Sequence, residues 1–264
     1  MASTFHVLHQ QALPLILPNA WDAGSARLIA GAGAQAIATT SAGVAWSLGY
    51  RDGDVLPVEE HLAAVRRIRR VIEVPLSVDI EGGYADDAAT VGEHVARFIE
   101  AGAVGVNLQD GSGDPLLLCR KIEAARGAAE RHGVPLYINV RTDVYARKLA
   151  PPGECVQEVL RRAAVYERAG ADGLFALGAA DAAEIGAIAA GTPLLLNVVA
   201  WPGLPPVQEL AKLGVRRLSA GSWLPQTLWT HTAALARGFL EDGRSEPLIA
   251  HAAAYGDVNA SLPA

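Results

Sequence analysis

Cysteine, lysine and long apolar runs are scarce in this chain, and each shortage narrows the field. Only two of the 264 residues are cysteine, Cys119 and Cys155, and they share no metal-ligand spacing. Neither a disulfide scaffold nor a thiolate metal cluster is suggested. Lysine occurs only at 121, 148 and 212, none of them at the end of an apolar run, which disfavours Schiff-base chemistry. Basic residues number 22 against 28 acidic ones, for a formal net charge of −6, and no basic stripe stands out. A nucleic-acid partner is therefore not expected. The opening "MASTFHVLHQQALPLILPNA" has no basic region, and Pro14 interrupts its short apolar run. Neither a signal peptide nor a membrane span is expected, and a cytoplasmic protein is the default. No G-x-S-x-G elbow and no P-loop occurs.

Hydrophobic residues, at 51%, supply a sizeable core, and they are arranged in two interleaved repeats. "VPLSVD" (74–79), "VPLYIN" (134–139) and "TPLLLN" (192–197) each open an apolar run that ends in Asp or Asn. Between them come "GAQAIATT" (33–40), "AGAVGVNL" (101–108), "AGADGLFA" (169–176) and "LGVRRLSA" (213–220), where a glycine closes a helix and a short strand follows. Strands are expected at 15–19, 36–40, 75–79, 103–108, 135–140, 173–177, 193–197 and 216–220. The segments between them carry helical periodicity. Eight apolar strands alternating with helices predict a (β/α)8 TIM-type barrel with extra C-terminal helices, as a single domain over 1–264. An open doubly wound sheet is the alternative. "GAGAQA" (31–36) matches a dinucleotide fingerprint only in letters, because a helix precedes it and a strand follows, the reverse of what that site needs.

In a barrel, chemistry gathers where strands end. The ends here read Asn19, Trp21 and Asp22; Thr39 to Gly43; Asp79 and Glu81; Asn107, Gln109 and Asp110; Asn139, Arg141 and Asp143; Asn197; and Ser219. Asp79 and Glu81, two apart on one face, repel each other and resist desolvation. A hard cation such as Mg²⁺, or Mn²⁺, would remove that repulsion, and Arg141 offers a planar fork to a carboxylate. Small residues in "TTSAG" can present backbone N–H groups to an anion. Together these suit the enolate of a 2-oxo acid. A metal-free salt bridge from Asp79 and Glu81 to Arg141 is the plainer alternative. Asp143 is expected to orient Arg141. None of the seven histidines ends a strand or makes a ligand pair.

At "NAWDAGSARL" (19–28), "IATTSAGVAWSLGYRDGD" (37–54), "VDIEGGYADD" (78–87), "AGAVGVNLQDG" (101–111) and "INVRTDVYA" (138–146) the sequence resembles the isocitrate lyase / phosphoenolpyruvate mutase superfamily across nearly its whole length. That resemblance implies a Mg²⁺-dependent enzyme acting next to a 2-oxo acid through an enolate. It also implies a homo-oligomer, dimer or tetramer, in which helices from about residue 225 pack on or swap with a neighbouring subunit. By position it implies Asp79 and Glu81 at the metal, with Gln109 in place of the third metal-site residue, and Thr40, Ser41, Ala42 and Arg141 at the substrate. Gly43, Asp79 and Asn197, read from the strand ends, complete the expected substrate contacts, with loop capping the alternative for Asn197. Asp52 and Tyr84 join Arg141 in catalysis.

Three departures shape the expectation. Gln109 stands where the superfamily carries a metal-site Glu. The Lys-Lys-Cys-Gly-His lid motif is absent, so a true isocitrate lyase is not expected. Leu177 and Gly178 replace a polar His-Ser pair, which argues against phosphonate handling. The leading expectation is a lyase or hydrolase of a 2-oxo acid or small dicarboxylate. A 2-oxo acid binding protein with little catalysis and a phosphonopyruvate hydrolase or mutase are the alternatives.

Overall fold

The computed structural model describes residues 1–263. Its strands are β1 (Leu15–Leu17), β2 (Asn19–Ala20), β3 (Ile37–Thr39), β4 (Leu76–Asp79), β5 (Gly105–Gln109), β6 (Tyr137–Thr142), β7 (Gly173–Ala176), β8 (Leu195–Val199) and β9 (Val215–Ser219). All pair in parallel, in the order β1-β9-β8-β7-β6-β5-β4-β3-β2. β1 and β2 are one expected strand, interrupted at Pro18, which has no N–H to give to a ladder. Its first half pairs Leu17 with Ser219 and its second half pairs Asn19 with Ala38. The interrupted strand thus joins the two edges and closes the barrel, which removes the doubly wound alternative. Each expected strand is found, with ends shifted by at most two residues.

Helices α2 (Ala23–Gly31), α3 (Ser41–Ser47), α4 (Val58–Val71), α5 (Ala88–Glu100), α6 (Pro115–Arg131), α7 (Cys155–Ala169), α8 (Ala182–Gly191) and α9 (Val207–Lys212) follow β2 through β8 in turn, two of them after β3. An earlier helix, α1 (Ala2–Leu8), precedes the barrel. Aspartates begin four of the barrel helices: Asp22, Asp87, Asp114 and Asp181 each accept a backbone N–H from the first turn. Outward strand residues such as Val78, Val106, Ile138 and Val140 pack with Leu62, Val95, Phe98 and Ile122 of the helices in the main apolar cluster.

The inward faces differ. Ser77 and Asp79, Asn107 and Gln109, Asn139 and Arg141, Asn197, Arg217 and Ser219 alternate with those outward apolar residues. Both faces are buried, so the period of two is hidden in a plain hydrophobicity reading. At the lower end, α1 plugs the barrel. Phe5 meets Tyr137 edge-on at 5.5 Å, and His9 stacks on Tyr137 at 4.1 Å. The expectations for the N-terminus did not include this helix, since seven residues are too few to show a helical period.

Beyond β9 run α10 (Trp223–Asp242), α11 (Glu246–Ile249) and α12 (Tyr255–Ser261). Pro225 is the buried residue of α10, while Trp223 and Trp229 are 43% and 50% exposed. No helix of the described residues is long and apolar enough to cross a membrane.

The crowded interior is testable. A Cβ on Gly173 would sit 2.6 Å from the Tyr137 hydroxyl and 2.7 Å from Asn139 Oδ1, whereas one on Gly31 would meet nothing within 4 Å. Gly173→Ala should lose about 1–3 kcal/mol in urea denaturation through overpacking. Gly31→Ala should be neutral or slightly stabilising.

Candidate active site

The site lies at the C-terminal ends of β3 to β6. Asp79 ends β4 with its backbone N–H donating to Thr39 Oγ1 at 2.9 Å. Its carboxylate accepts the Ser41 N–H at 3.2 Å and the Glu81 N–H at 3.4 Å. Glu81, 2% exposed, adopts φ +51° just past the strand, a left-handed conformation that costs a non-glycine residue energy. Glu81 Oε2 accepts the N–H groups of Gly53 and Asp54 at 2.9 and 2.5 Å. Its Oε1 is buried with no partner among the described residues, as is Oε1 of Gln109 on the next strand. The backbone links these two positions, because Gln109 N–H donates to the Glu81 carbonyl at 2.8 Å.

Across the β5–β6 register, Gln109 faces Arg141. Arg141 donates to both oxygens of Asp143, at 2.6 and 3.0 Å. The plainer expectation of a salt bridge from Arg141 to Asp79 or Glu81 does not hold among the described residues. Burial opposes the charge on Arg141, and the Asp143 pair more than offsets it, so its pKa lies above the usual value. Arg141 is thus oriented by Asp143, and its three other guanidinium N–H groups make no hydrogen bond among the described residues.

Electrostatics mark the acidic side as strained. Burial raises the pKa of Asp79 and of Asp54, and it pushes Glu81 up to about 7. The neighbouring charges of Asp52, Asp54 and Asp79 add to the rise at Glu81, whereas the bond from Asp54 N–H opposes it. Asp52 sits on the exposed loop between α3 and α4, and its charge reaches Asp79, Glu81, Tyr84 and Arg141.

Several expected site residues stand in other roles. Asn197 is fully buried and its amide is engaged: Nδ2 donates to Val198 O, Arg217 O and Ser219 Oγ, and Oδ1 accepts from Asn139. It belongs to the floor of the site and does not face a ligand. Ser41 gives its N–H to Asp79. Gly43 is set by packing, since a Cβ there would come 2.7 Å from Trp21 Cβ and 2.8 Å from Thr40 Cγ2. The Tyr84 hydroxyl, expected in catalysis, hydrogen-bonds His61 Nδ1 at 2.9 Å beneath the rim. Burial holds His61 down at about 4, so that histidine is neutral. Asp110 turns outward to Arg162 Nη1 and the Tyr166 hydroxyl, both at 2.8 Å, and fastens α7 to the barrel.

Two important residues escaped sequence reasoning. Asp54 lies in a loop, two residues past the aspartate that drew attention. Arg217 stands beside Arg216 in β9, and counting back by two from Ser219 would have turned it, and not Arg216, inward. It is 1% exposed, its Nη2 donates to Asn107 Oδ1 at 3.3 Å, and its Nε and Nη1 have no partner among the described residues. Burial pulls its pKa down to about 10. Holding that charge costs on the order of 3 kcal/mol. Arg217→Met should therefore leave the thermal midpoint unchanged or raise stability by about 1–3 kcal/mol. A clear loss in calorimetry would show the guanidinium to be a net stabiliser.

The sequence matches the family model described as phosphoenolpyruvate phosphomutase over residues 5–240. An uncharacterized Mycobacterium tuberculosis protein is 35% identical over 249 residues, 92% of this chain and 91% of that protein. The 2-methylisocitrate lyase of Escherichia coli is 30% identical over 200 residues, 73% of this chain and 68% of the enzyme. Among solved structures, a Burkholderia cenocepacia protein described as a candidate phosphonomutase superposes with TM-score 0.85 at 40% identity, covering 89% of this chain and 98% of its own. A phosphonopyruvate hydrolase solved with oxalate and Mg²⁺ shares the fold, with TM-score 0.85 at 22% identity over 98% of this chain and 94% of its own.

Proposed function

The chain belongs to the phosphoenolpyruvate phosphomutase family, and from that premise we propose that it is a Mg²⁺-dependent lyase or hydrolase of a 2-oxo acid or small dicarboxylate. One observation carries the reading: two buried acceptor oxygens have no partner among the described residues, Glu81 Oε1 just past β4 and Gln109 Oε1 at the end of β5, at positions joined by the Gln109 N–H bond to the Glu81 carbonyl. Two carboxylates and a neutral amide suit Mg²⁺, which keeps several waters and takes one or two carboxylates. Mn²⁺ suits the same oxygens. Lyases among the relatives, and a fold neighbour solved with oxalate and Mg²⁺, support the reading.

Asp79, Glu81 and Gln109 would hold the cation, directly or through water. When bound, the cation supplies positive charge to the substrate's keto oxygen as it gains enolate character. Arg141, held flat by Asp143, takes a substrate carboxylate. The Ala42 and Gly43 amides, with Thr40 at the start of α3, close the opposite side, while Ser41 serves Asp79. Asp52 moves a proton or positions water. Tyr84, braced by His61, keeps the Glu81 loop in place. The exposed apolar side of α10 packs on a second copy of the chain in a homo-oligomer.

Each part has a measurable consequence. Arg141→Ala should lower kcat/KM on oxaloacetate by about 100-fold or more, the loss typical of one removed transition-state donor. Asp79→Ala should do the same. Wild-type turnover in both variants would remove the site assignment.

The proton on Glu81 gives a second test. The folded chain holds it up to about pH 7, against the usual 4.5. Folding therefore takes up a proton between those values. Stability from this group is full below about pH 4.5 and falls by on the order of 3 kcal/mol as pH rises to about 7. Cation binding needs the ionised form, so Mg²⁺ should raise the thermal midpoint at about pH 8 and do little at about pH 5. Equal stabilisation at both would exclude Glu81 as a ligand.

A further inference from the structure

Among the described residues, three of the four non-glycine residues with positive φ lie together at the rim: Asp54 (+57°), Glu81 (+51°) and Tyr84 (+60°). Strain of this kind persists only where surrounding bonds over-determine it. The bonds here are reciprocal. Glu81 Oε2, from the β4 loop, accepts Gly53 N–H at 2.9 Å and Asp54 N–H at 2.5 Å. Asp54, from the α3–α4 loop, accepts Gly82 N–H at 3.0 Å and Tyr84 N–H at 3.2 Å through Oδ1. Its Oδ2 lies 3.3 Å from the Gly82 nitrogen. Each loop's carboxylate therefore caps the other loop's backbone.

The fit is close. A Cβ on Gly82 would sit 2.8 Å from Asp54 Oδ2, and one on Gly83 would sit 2.7 Å from Val91 Cγ1. Around this junction, Lys121 Nζ donates to Gly82 O at 2.7 Å, His94 Nδ1 meets Gly83 O at 2.8 Å, and His61 holds the Tyr84 hydroxyl. The β4 loop is thus anchored from below by α4, α5 and α6. The α3–α4 loop reaches it through Gly53 and Asp54, the two residues that follow Asp52.

We propose that Asp54 and Glu81 form a reciprocal clasp, with Asp54 a positioning residue that fixes the Asp52 loop over the site and sets the aim of Glu81. Glu81 gives one oxygen to the loop and keeps the other, Oε1, for the site. Closing the loop and presenting that oxygen are then one event. The proposal rests on the assignment of Glu81 and Asp52 to the active site, but the clasp itself can be tested without substrate or metal.

Amide hydrogen exchange on the full chain separates a clasp from a local turn. Among the described residues the Asp54 carboxylate accepts hydrogen bonds from the Gly82 and Tyr84 amides, whereas the Gly53 and Asp54 amides bond to Glu81. In Asp54→Ala, exchange at Gly53 and Asp54 should nonetheless accelerate about tenfold or more together with Gly82 and Tyr84, because the unit opens cooperatively. Gly82→Ala, which keeps the carboxylate but displaces it, should behave alike. Asp54→Asn, whose Oδ1 can still accept both N–H groups, should restore most of the protection. Mg²⁺ titrated alone into Asp54→Ala should bind about fivefold or more weakly than to wild type, while the thermal midpoint stays within a few degrees.

Faster exchange confined to Gly82 and Tyr84 would reduce Asp54 to a turn residue and overturn the clasp. Failure of wild type to bind Mg²⁺, with the four amides still opening together, would leave the clasp standing and overturn the metal reading instead. Unchanged exchange in both Asp54→Ala and Gly82→Ala would also overturn the clasp.

Discussion

Two carboxylates forced together at the rim of a closed apolar sheet are the constraint on which the surrounding structure depends. Asp79 ends β4 and Glu81 lies in the turn just past it, where water is largely excluded and like charges repel. Much nearby geometry answers that problem. Ser41 N–H turns to Asp79, and Gly53 and Asp54 N–H turn to Glu81. Arg141, the nearest strand-end cation, is occupied by Asp143 on its outer side. Burial raises the pKa of both carboxyl groups, neighbouring acidic charges add to the rise at Glu81, and the backbone donors oppose it without cancelling it.

Beneath the rim, the barrel is polar where a stability-driven design would be apolar. Asn139 Nδ2 donates to both Asn107 Oδ1 and Asn197 Oδ1 at 2.9 Å, and the Asn197–Ser219 pair continues the chain to β9. Arg217 reaches into that network without a carboxylate partner. Arg162, by contrast, is neutralised by Asp110 and Glu158, and Arg126 by Asp172. The barrel spends stability on a polar floor under the site, and its aliphatic clusters lie outside the strands, against the helices.

The fold was legible because it repeats. Proline-led runs ending in Asp or Asn and glycine-led runs placed seven strands within two residues, the run at 15–19 supplied the eighth, and closure followed from their number. Pro18 alone split a strand, and α1 escaped because its seven residues are too few to show a helical period. At the site, Asp79, Glu81, Gln109, Arg141 and Asp143 were visible from strand ends, and the orienting role of Asp143 matches the ion pair found. Asn197 and Ser41 were placed correctly in the chain, yet both serve protein groups, because sequence position does not show which way an amide donates. Asp54 and Arg217 were missed for opposite reasons. The first acts from a loop whose path no periodicity foretells, and the second is one of two adjacent arginines, of which only the strand's alternation tells the inward one.

The account turns on whether a divalent cation occupies the gap between these oxygens. Anomalous diffraction from a crystal soaked in Mn²⁺ addresses that directly. A single peak should appear beside Glu81 Oε1 and Asp79, about 2 Å from an oxygen or about 4 Å away through one water. No peak there at saturating Mn²⁺, with both side chains placed as described, would contradict the account.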